Sequence, residues 1–83
     1  MEIKVLGSGC SKCNALYKNI HKAVDDLKLN AIIEKVEDIN EILKYEILRT
    51  PALVVDEKVI KSGESPGLHE LKFLLTELTK NEQ

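Results

Sequence analysis

The pattern of hydrophobic and polar positions predicts a strand followed by a helix at the start of the chain. Apolar and polar residues alternate from Glu2 to Leu6, and the glycines of Gly7-Ser8-Gly9 then interrupt them, which is typical of a strand entering a turn. Further along, apolar residues recur every three or four positions, which predicts a helix with one buried face from about Cys10 to Lys28. The residues of this face are Leu16, Tyr17, Ile20, Ala23, Val24 and Leu27.

A second strand and a second helix are predicted next. The segment from Ala31 to Val36 contains two isoleucines and a valine, a composition that favours a strand. Asp38 is expected to cap the following helix by accepting the backbone N–H three residues on, while Glu41 reaches back to the cap. This helix ends before Pro51, because proline disfavours helical geometry in the residue that precedes it. Its predicted apolar face consists of Ile39, Ile42, Leu43 and Ile47.

The last part of the chain predicts a hairpin and a third helix. The segments from Ala52 to Val55 and from Lys58 to Lys61 have the composition of short strands, and Asp56-Glu57 forms a two-residue turn between them. Ser65-Pro66 supplies a cap and a first-turn proline for the final helix. The apolar positions of that helix are Leu68, Leu71, Leu74, Leu75 and Leu78.

The order of these elements defines an α/β fold. A strand–helix–strand start implies a right-handed crossover between two parallel strands, to which the hairpin adds antiparallel neighbours. We therefore predict a four-stranded mixed sheet flanked by three helices in the order β-α-β-α-β-β-α. With 83 residues, the chain is expected to form one domain over residues 1–83.

Composition and charge exclude several classes of protein. Hydrophobic residues make up 43% of the chain and charged residues 31%, the balance of an ordinary globular protein. The formal charge is -2, Lys and Glu are interspersed, and the aromatic residues are only Tyr17, Tyr45 and Phe73, so we exclude a nucleic-acid-binding protein. The longest stretch without charge or strong polarity runs from Pro51 to Val55, far below the roughly 20 residues of a membrane helix. Because the stretch MEIKVL is also too short for the apolar region of a signal peptide, we expect a cytoplasmic protein that does not bind membranes. We also expect a monomer.

Two cysteines three residues apart are the main candidates for chemistry. Cys10 falls at the predicted N-terminus of the first helix, where unpaired N–H groups and the helix dipole stabilise a thiolate, and Lys12 adds a cation that favours it further. Cys13 falls on the same face one turn later, so a modest adjustment closes a disulfide. These positions predict that Cys10 attacks a substrate disulfide and that Cys13 then attacks Cys10 to release the reduced substrate. A permanent disulfide staple is less expected, because the cytosol keeps most thiols reduced.

Other functions for the same two cysteines are left open by the sequence. They could bind a soft ion such as Cu(I) or Zn(II), or lend ligands to an iron–sulfur cluster shared by two chains. Element order is against the ferredoxin-like metal carriers, because Asp38 opens a helix where those proteins have another strand. Neither His21 nor His69 lies at zinc-finger spacing from the cysteines, so no metal ligand is assigned.

The residues GCSKC after the first strand, together with Thr50-Pro51-Ala52-Leu53 before the hairpin, resemble the thioredoxin-like fold over nearly the whole chain. More narrowly, the chain resembles the small redox-active disulfide proteins, which are glutaredoxin-sized and thioredoxin-like. This resemblance implies that Cys10 is the nucleophile, Cys13 the resolving thiol and Pro51 a cis-proline that faces them. From the residues alone, Pro51 is instead a helix terminator before an edge strand.

The resemblance also implies an activity and its partners. The protein would be a thioredoxin- or glutaredoxin-like disulfide oxidoreductase that takes part in electron transport, with a protein or small disulfide as substrate and a separate reductase. The backbone of Thr50 would pair with an extended substrate beside Cys10. The redox-active disulfide Cys10-Cys13 would need no further cofactor, although Ser62-Gly63-Glu64-Ser65 partly matches the glutathione site of glutaredoxins. Lys4 stands six residues before Cys10, where thioredoxins have a buried acid.

Overall fold

The regular elements follow the order that the sequence predicts. The computed structural model describes residues 1–8 and 11–80. The elements are β1 (Glu2–Leu6), α1 (Ser11–Leu27), β2 (Ile32–Val36), α2 (Ile39–Leu43), β3 (Ala52–Val55), β4 (Lys58–Ser62) and α3 (Leu68–Lys80). The predicted α/β fold with four strands and three helices is therefore confirmed. No helix within these described ranges is long and apolar enough to cross a membrane.

The four strands form one mixed sheet in the order β2-β1-β3-β4. β1 runs parallel to β2, with Leu6 opposite Val36, and antiparallel to β3, with Leu6 opposite Ala52. The carboxyl ends of β1 and β2 and the start of β3 therefore meet at one end of the sheet, which we call the Leu6 end. Because β3 lies between β1 and β4, the expectation that Pro51 precedes an edge strand is wrong.

The helices cover the two faces of the sheet unequally. Helices α1 and α3 pack together on one face and enclose the larger part of the core, because their apolar positions recur at helical spacing. This cluster contains Ile3, Val5, Leu16, Ile20, Ala23, Leu53, Val55, Leu71 and Leu75. The other face is covered by α2, and its smaller cluster contains Leu6, Ile42, Ala52 and Val54. All four residues of β3 are buried because both faces of this strand are covered.

Helix α2 is shorter than the sequence predicts. The Asp38 carboxylate accepts a hydrogen bond from the backbone N–H of Asn40 at 2.9 Å rather than from the third residue on. Glu41 does not close the expected box, since its carboxylate pairs with Lys44 at 3.1 Å. Glu46 has a positive φ of 56°, which lies outside helical geometry. The chain consequently leaves the helix well before Pro51.

The predicted apolar face of α2 is only half buried. Ile42 is 5% exposed and packs on the sheet, and Ile47 packs against the same cluster. Ile39 and Leu43 are each 61% exposed, and Ile47 lies beyond the end of the five-residue helix. The structure therefore leaves apolar surface beside α2.

The hairpin turn adopts a backbone that its residues rarely favour. Asp56 and Glu57 have φ values of 48° and 68°, so this two-residue turn has positive φ at both positions without a glycine. Their side chains explain the exception. The carboxylate of Asp56 accepts a hydrogen bond from the backbone N–H of Glu2 at 2.8 Å, and the carboxylate of Glu57 accepts one from Lys4 at 2.9 Å.

Helix α3 begins later than predicted. The first helical residue is Leu68, and the carbonyl of Gly67 accepts the hydrogen bond from the N–H of Leu71 at 3.0 Å. Gly67 therefore occupies the cap position. The buried Pro66 precedes the cap instead of opening the first turn.

Candidate redox site

Gly7 ends β1 in a conformation that requires glycine. Its φ is 147°, within the range that other residues rarely adopt, and the residue is buried. Its backbone N–H donates to the carbonyl of Val36 at 2.9 Å, which extends the pairing of β1 and β2 by one residue. The chain thus turns away from the sheet at a fixed point of the Leu6 end.

The space in front of Gly7 is filled by two other parts of the chain. A Cβ atom built on Gly7 would overlap with the Sγ atom of Cys13. The same point lies 3.4 Å from the Cβ of Cys13 and 3.4 Å from the Cβ of Thr50. The end of β1, the first turn of α1 and the segment before β3 therefore meet around one glycine. Residues widely separated in sequence are brought together in this way, as the resemblance to thioredoxin-like proteins implies.

Cys13 is fully buried in the first turn of α1. Its sulfur is disulfide-bonded, so it does not titrate in this state. The predicted nucleophile Cys10 and its neighbour Gly9 lie outside the described residues. What the structure describes of the predicted cysteine pair is therefore the surroundings of the second sulfur, which are closed to solvent.

In the segment before β3, Pro51 is buried and Thr50 is exposed to solvent. The Thr50-Pro51 peptide bond is cis, as the resemblance implies. Pro51 is fully buried, and its carbonyl accepts a hydrogen bond from the N–H of Gly63 at 2.8 Å. Thr50 is exposed. An incoming molecule can therefore reach Thr50 from solvent, while Pro51 fixes the segment to the sheet.

An apolar groove of about 240 Å³ begins at Thr50 and continues along α2. Its most exposed wall is Leu48, which is 98% exposed, beside Ile39 and Leu43. The full lining is Ile39, Ile42, Leu43, Ile47, Leu48, Arg49 and Thr50. This lining, which we call the α2 groove, joins the site directly and presents apolar side chains to solvent.

The predicted cation Lys12 is exposed, and it makes no ion pair or side-chain hydrogen bond within residues 1–8 and 11–80. A different lysine is fixed close to the start of α1. Lys35, on β2, donates a hydrogen bond to the side-chain oxygen of Asn14 at 2.8 Å. Its ammonium also lies 5.6 Å from the centre of the Tyr17 ring. Hydrophobic periodicity does not indicate this contact, because it depends on how β2 and α1 are placed relative to each other.

Comparison with known proteins agrees with this geometry. A family model described as a thioredoxin domain matches residues 1–76. The chain belongs to the thioredoxin-domain family. A protein named thioredoxin from Methanocaldococcus jannaschii is 40% identical over 70 residues, covering 84% of this chain and 80% of that protein. A thioredoxin from Methanothermobacter thermautotrophicus is 33% identical over 76 residues, covering 92% and 99%. At the level of the family, these similarities support thiol–disulfide oxidoreductase chemistry.

In this thioredoxin-domain protein, Lys4 connects three parts of the chain through its side chain. Its ammonium donates to the Tyr45 hydroxyl and to the Glu57 carboxylate, both at 2.9 Å, and the Tyr45 hydroxyl also donates to Glu57 at 3.1 Å. The hydrogen bonds to Tyr45 and then Glu57 raise the pKa of Lys4, and the contact with Lys4 lowers the pKa of Glu57. Lys4 therefore ties β1 to the end of α2 and to the hairpin turn.

The acidic residue of the partial glutathione match is already engaged. Glu64 lies 3.6 Å from the ammonium of Lys61, which also pairs with Glu70 at 3.1 Å. The hydrogen bond that Lys61 donates to the Glu70 carboxylate is the main cause that raises the pKa of Lys61. The Glu64 carboxylate is thus held beside a lysine of the same chain.

Sequence reasoning missed three parts of this site. The sequence indicates a turn at Gly7, but the contact of Gly7 with Cys13 depends on the position of α1. The α2 groove follows from the early end of α2, which apolar periodicity alone does not indicate. The position of Lys35 beside α1 depends on the register between β1 and β2, in which Lys35 lies opposite Val5.

Proposed function

We propose that this protein is a small thiol–disulfide oxidoreductase that exchanges a dithiol for a disulfide through Cys10 and Cys13. The observation that supports it most is the meeting of the buried, disulfide-bonded Cys13 with Gly7 and the exposed Thr50 at the Leu6 end of the sheet. Membership of the thioredoxin-domain family supports the same chemistry.

The proposed reaction transfers two electrons to a substrate disulfide. The Cys10 thiolate attacks one sulfur of the substrate, the substrate S–S bond breaks, and the leaving sulfur takes up a proton. The Cys13 thiolate then attacks Cys10 in the mixed disulfide, which forms the Cys10-Cys13 bond and releases the second substrate thiol. A separate thiol reductase must return two electrons to the pair before the next cycle.

We favour a protein disulfide as substrate over glutathione. An extended segment could pair with the accessible backbone at Thr50 and place an apolar side chain in the α2 groove, whose walls are otherwise exposed to water. Glu64 would first have to leave Lys61 before it could bind the amino group of glutathione. These contacts support a protein partner and make glutathione dependence a secondary expectation.

The experiment that tests the function is insulin reduction with dithiothreitol as the reductant, comparing the natural chain with Cys10→Ser and Cys13→Ser. We expect turnover by the natural chain only. Cys13→Ser should accumulate a mixed disulfide with a substrate, because its nucleophile remains while the resolving thiol is missing, and Cys10→Ser should not. Mass spectrometry measures this difference, and equal trapping by both variants would contradict the assigned roles.

The competing hypothesis is a soft-metal carrier or an iron–sulfur module. Within the described parts of the chain, no three His, Cys, Asp or Glu residues gather into a possible metal site. Equilibrium dialysis of the reduced protein against Zn(II) or Cu(I) decides between the classes. One tightly bound ion per chain, without any disulfide exchange, would overturn the proposed oxidoreductase.

A further inference from the structure

We propose that Lys35 is a positioning residue of the redox site, which fixes the first turn of α1 through Asn14 and holds a positive charge beside it. This inference rests on the proposed function, because the charge acts on Cys10 and Cys13. It replaces Lys12, the cation that the sequence suggests, by one that the fold holds in place.

The contacts of Lys35 bridge two elements at the Leu6 end of the sheet. Lys35 is the residue before Val36, the last residue of β2, and the Val36 carbonyl accepts a hydrogen bond from the N–H of Gly7. Its ammonium donates to Asn14 at 2.8 Å, and Asn14 follows Cys13 directly in the sequence. The strand that anchors Gly7 is therefore also bonded to the helical turn that carries Cys13.

Aromatic contacts restrict the Lys35 side chain further. The ammonium lies 5.6 Å from the centre of the Tyr17 ring, a distance at which the ring face attracts a cation. Tyr17 in turn contacts His21 edge to face, with ring centres 4.6 Å apart. Asn14, Tyr17 and His21 recur at helical spacing, and the first two contact Lys35. Two contacts from one helix leave the ammonium much less freedom than a solvated lysine has.

The charge of Lys35 is not neutralised by the groups around it. Within residues 1–8 and 11–80, no carboxylate lies within ion-pair distance of its ammonium. Its neighbour on β1 is the uncharged Val5, and its contacts on α1 are the uncharged Asn14 and the ring of Tyr17. A positive charge beside the first turn of α1, which carries Cys13, favours the thiolate over the thiol.

The direction of the effect on redox chemistry follows from this charge. A cation that stabilises the thiolate stabilises the reduced form, and the disulfide becomes a stronger oxidant. Removing the charge should therefore shift the thiol–disulfide equilibrium towards the disulfide and move thiol titration to higher pH. Because the ammonium is partly solvated, the expected change in the equilibrium constant is about threefold.

The experiment compares Lys35→Met, Lys35→Arg and Lys12→Met, with the exposed Lys58→Met as a matched control on β4. For each reduced protein, the pH profile of cysteine alkylation is followed by mass spectrometry, and the equilibrium constant with dithiothreitol is measured. We expect a shift of about threefold for Lys35→Met, recovery in Lys35→Arg, and smaller shifts in Lys12→Met and Lys58→Met. Asn14→Ala, which keeps the charge but removes its hydrogen bond, should shift the constant in the same direction by less.

Each outcome decides the role of Lys35. Unchanged titration and equilibrium in a folded Lys35→Met protein would overturn the proposal, and a larger shift in Lys12→Met would assign the role to Lys12. If Lys35→Met does not fold, the thiol titration and the equilibrium constant of Asn14→Ala are compared with those of Lys35→Arg. This comparison then decides the role of Lys35. Thiol titration does not require turnover, so a failure of disulfide exchange by the natural chain would refute the proposed function without hiding the effect of Lys35.

Discussion

Gly7 lies so close to Cys13 that a single methyl group at Gly7 would overlap with the Sγ atom of Cys13. The same methyl group would lie 3.4 Å from the Cβ of Thr50. Glycine at this position is thus required twice, by its φ of 147° and by the space that the buried sulfur occupies.

Gly7→Ala should destabilise the oxidised protein by about 2–4 kcal/mol, because the variant combines an unfavourable φ with overpacking in a closed region. Urea unfolding of the oxidised protein measures the loss in free energy of unfolding. Gly67→Ala is the matched control, since a Cβ at Gly67 would meet nothing within 4 Å. A loss in Gly67→Ala as large as that in Gly7→Ala would contradict the packing argument.

Leu48→Ser should weaken the use of a protein substrate without changing the redox chemistry. Leu48 is 98% exposed, so its replacement costs little stability, but it removes apolar surface from the α2 groove. We expect KM for insulin to rise about three- to tenfold, while reduction of a small disulfide such as cystine stays unchanged. Phe73→Ser is the control, because Phe73 is also exposed but lies on α3 outside the groove lining. Equal effects of the two variants would exclude the α2 groove as a docking surface.

Lys4→Met should loosen the end of α2 while the larger core persists. The variant removes the hydrogen bonds that join β1 to Tyr45 and Glu57, and the remaining Tyr45–Glu57 bond holds only one side of the contact. Hydrogen exchange of the backbone amides of Tyr45 and Glu46 should become about fivefold faster, and amides of α1 should not change. Lys58→Met serves as the control, and the same acceleration there would show that the contact of Lys4 has no special role.

Asp26 should make stability depend on acidic pH. Its carboxylate accepts hydrogen bonds from Lys22 and Lys72, each at 2.9 Å, and these contacts lower its pKa below the ordinary value of 3.8. The contribution to stability is therefore present above pH 3.8 and is lost as the pH falls through the lower pKa of the folded state. The free energy of unfolding, measured between pH 6 and pH 2, should fall less steeply in Asp26→Asn than in the natural chain. Asp25→Asn should keep the natural profile, and a flattened profile there would contradict the assignment to Asp26.

The sequence predicted the elements well where hydrophobic periodicity was long or where turns were marked by glycine and proline. β1 and β3 have the predicted bounds, and α1 ends at Leu27, one residue before the predicted end. Helix α2 was predicted too long, because its apolar residues recur at helical spacing although Glu46 leaves helical geometry. Periodicity records which residues are apolar, but it does not show whether a partner surface is available for each of them.

For the candidate site, the sequence indicates which residues take part better than it indicates which of them are in contact. Thr50 and Pro51 were named from resemblance, and the structure brings Thr50 to Cys13 through their shared contact with Gly7. The sequence points to Lys12 as the cation of the site because Lys12 lies between the two cysteines. Lys35 lies further away along the chain and is held beside α1 only through the parallel pairing of β2 with β1.

The pairing of β1 with β3 has a consequence for when the protein can become active as it folds. Leu6 and Ala52 are opposite each other, although α1, β2 and α2 lie between them in the chain. Contacts between such distant segments close slowly compared with local helix formation. A chain with its first helix formed but β3 undocked therefore has Cys13 without Thr50 beside it. Redox competence is consequently acquired late in folding, and its appearance during refolding reports the docking of the two halves of the sheet.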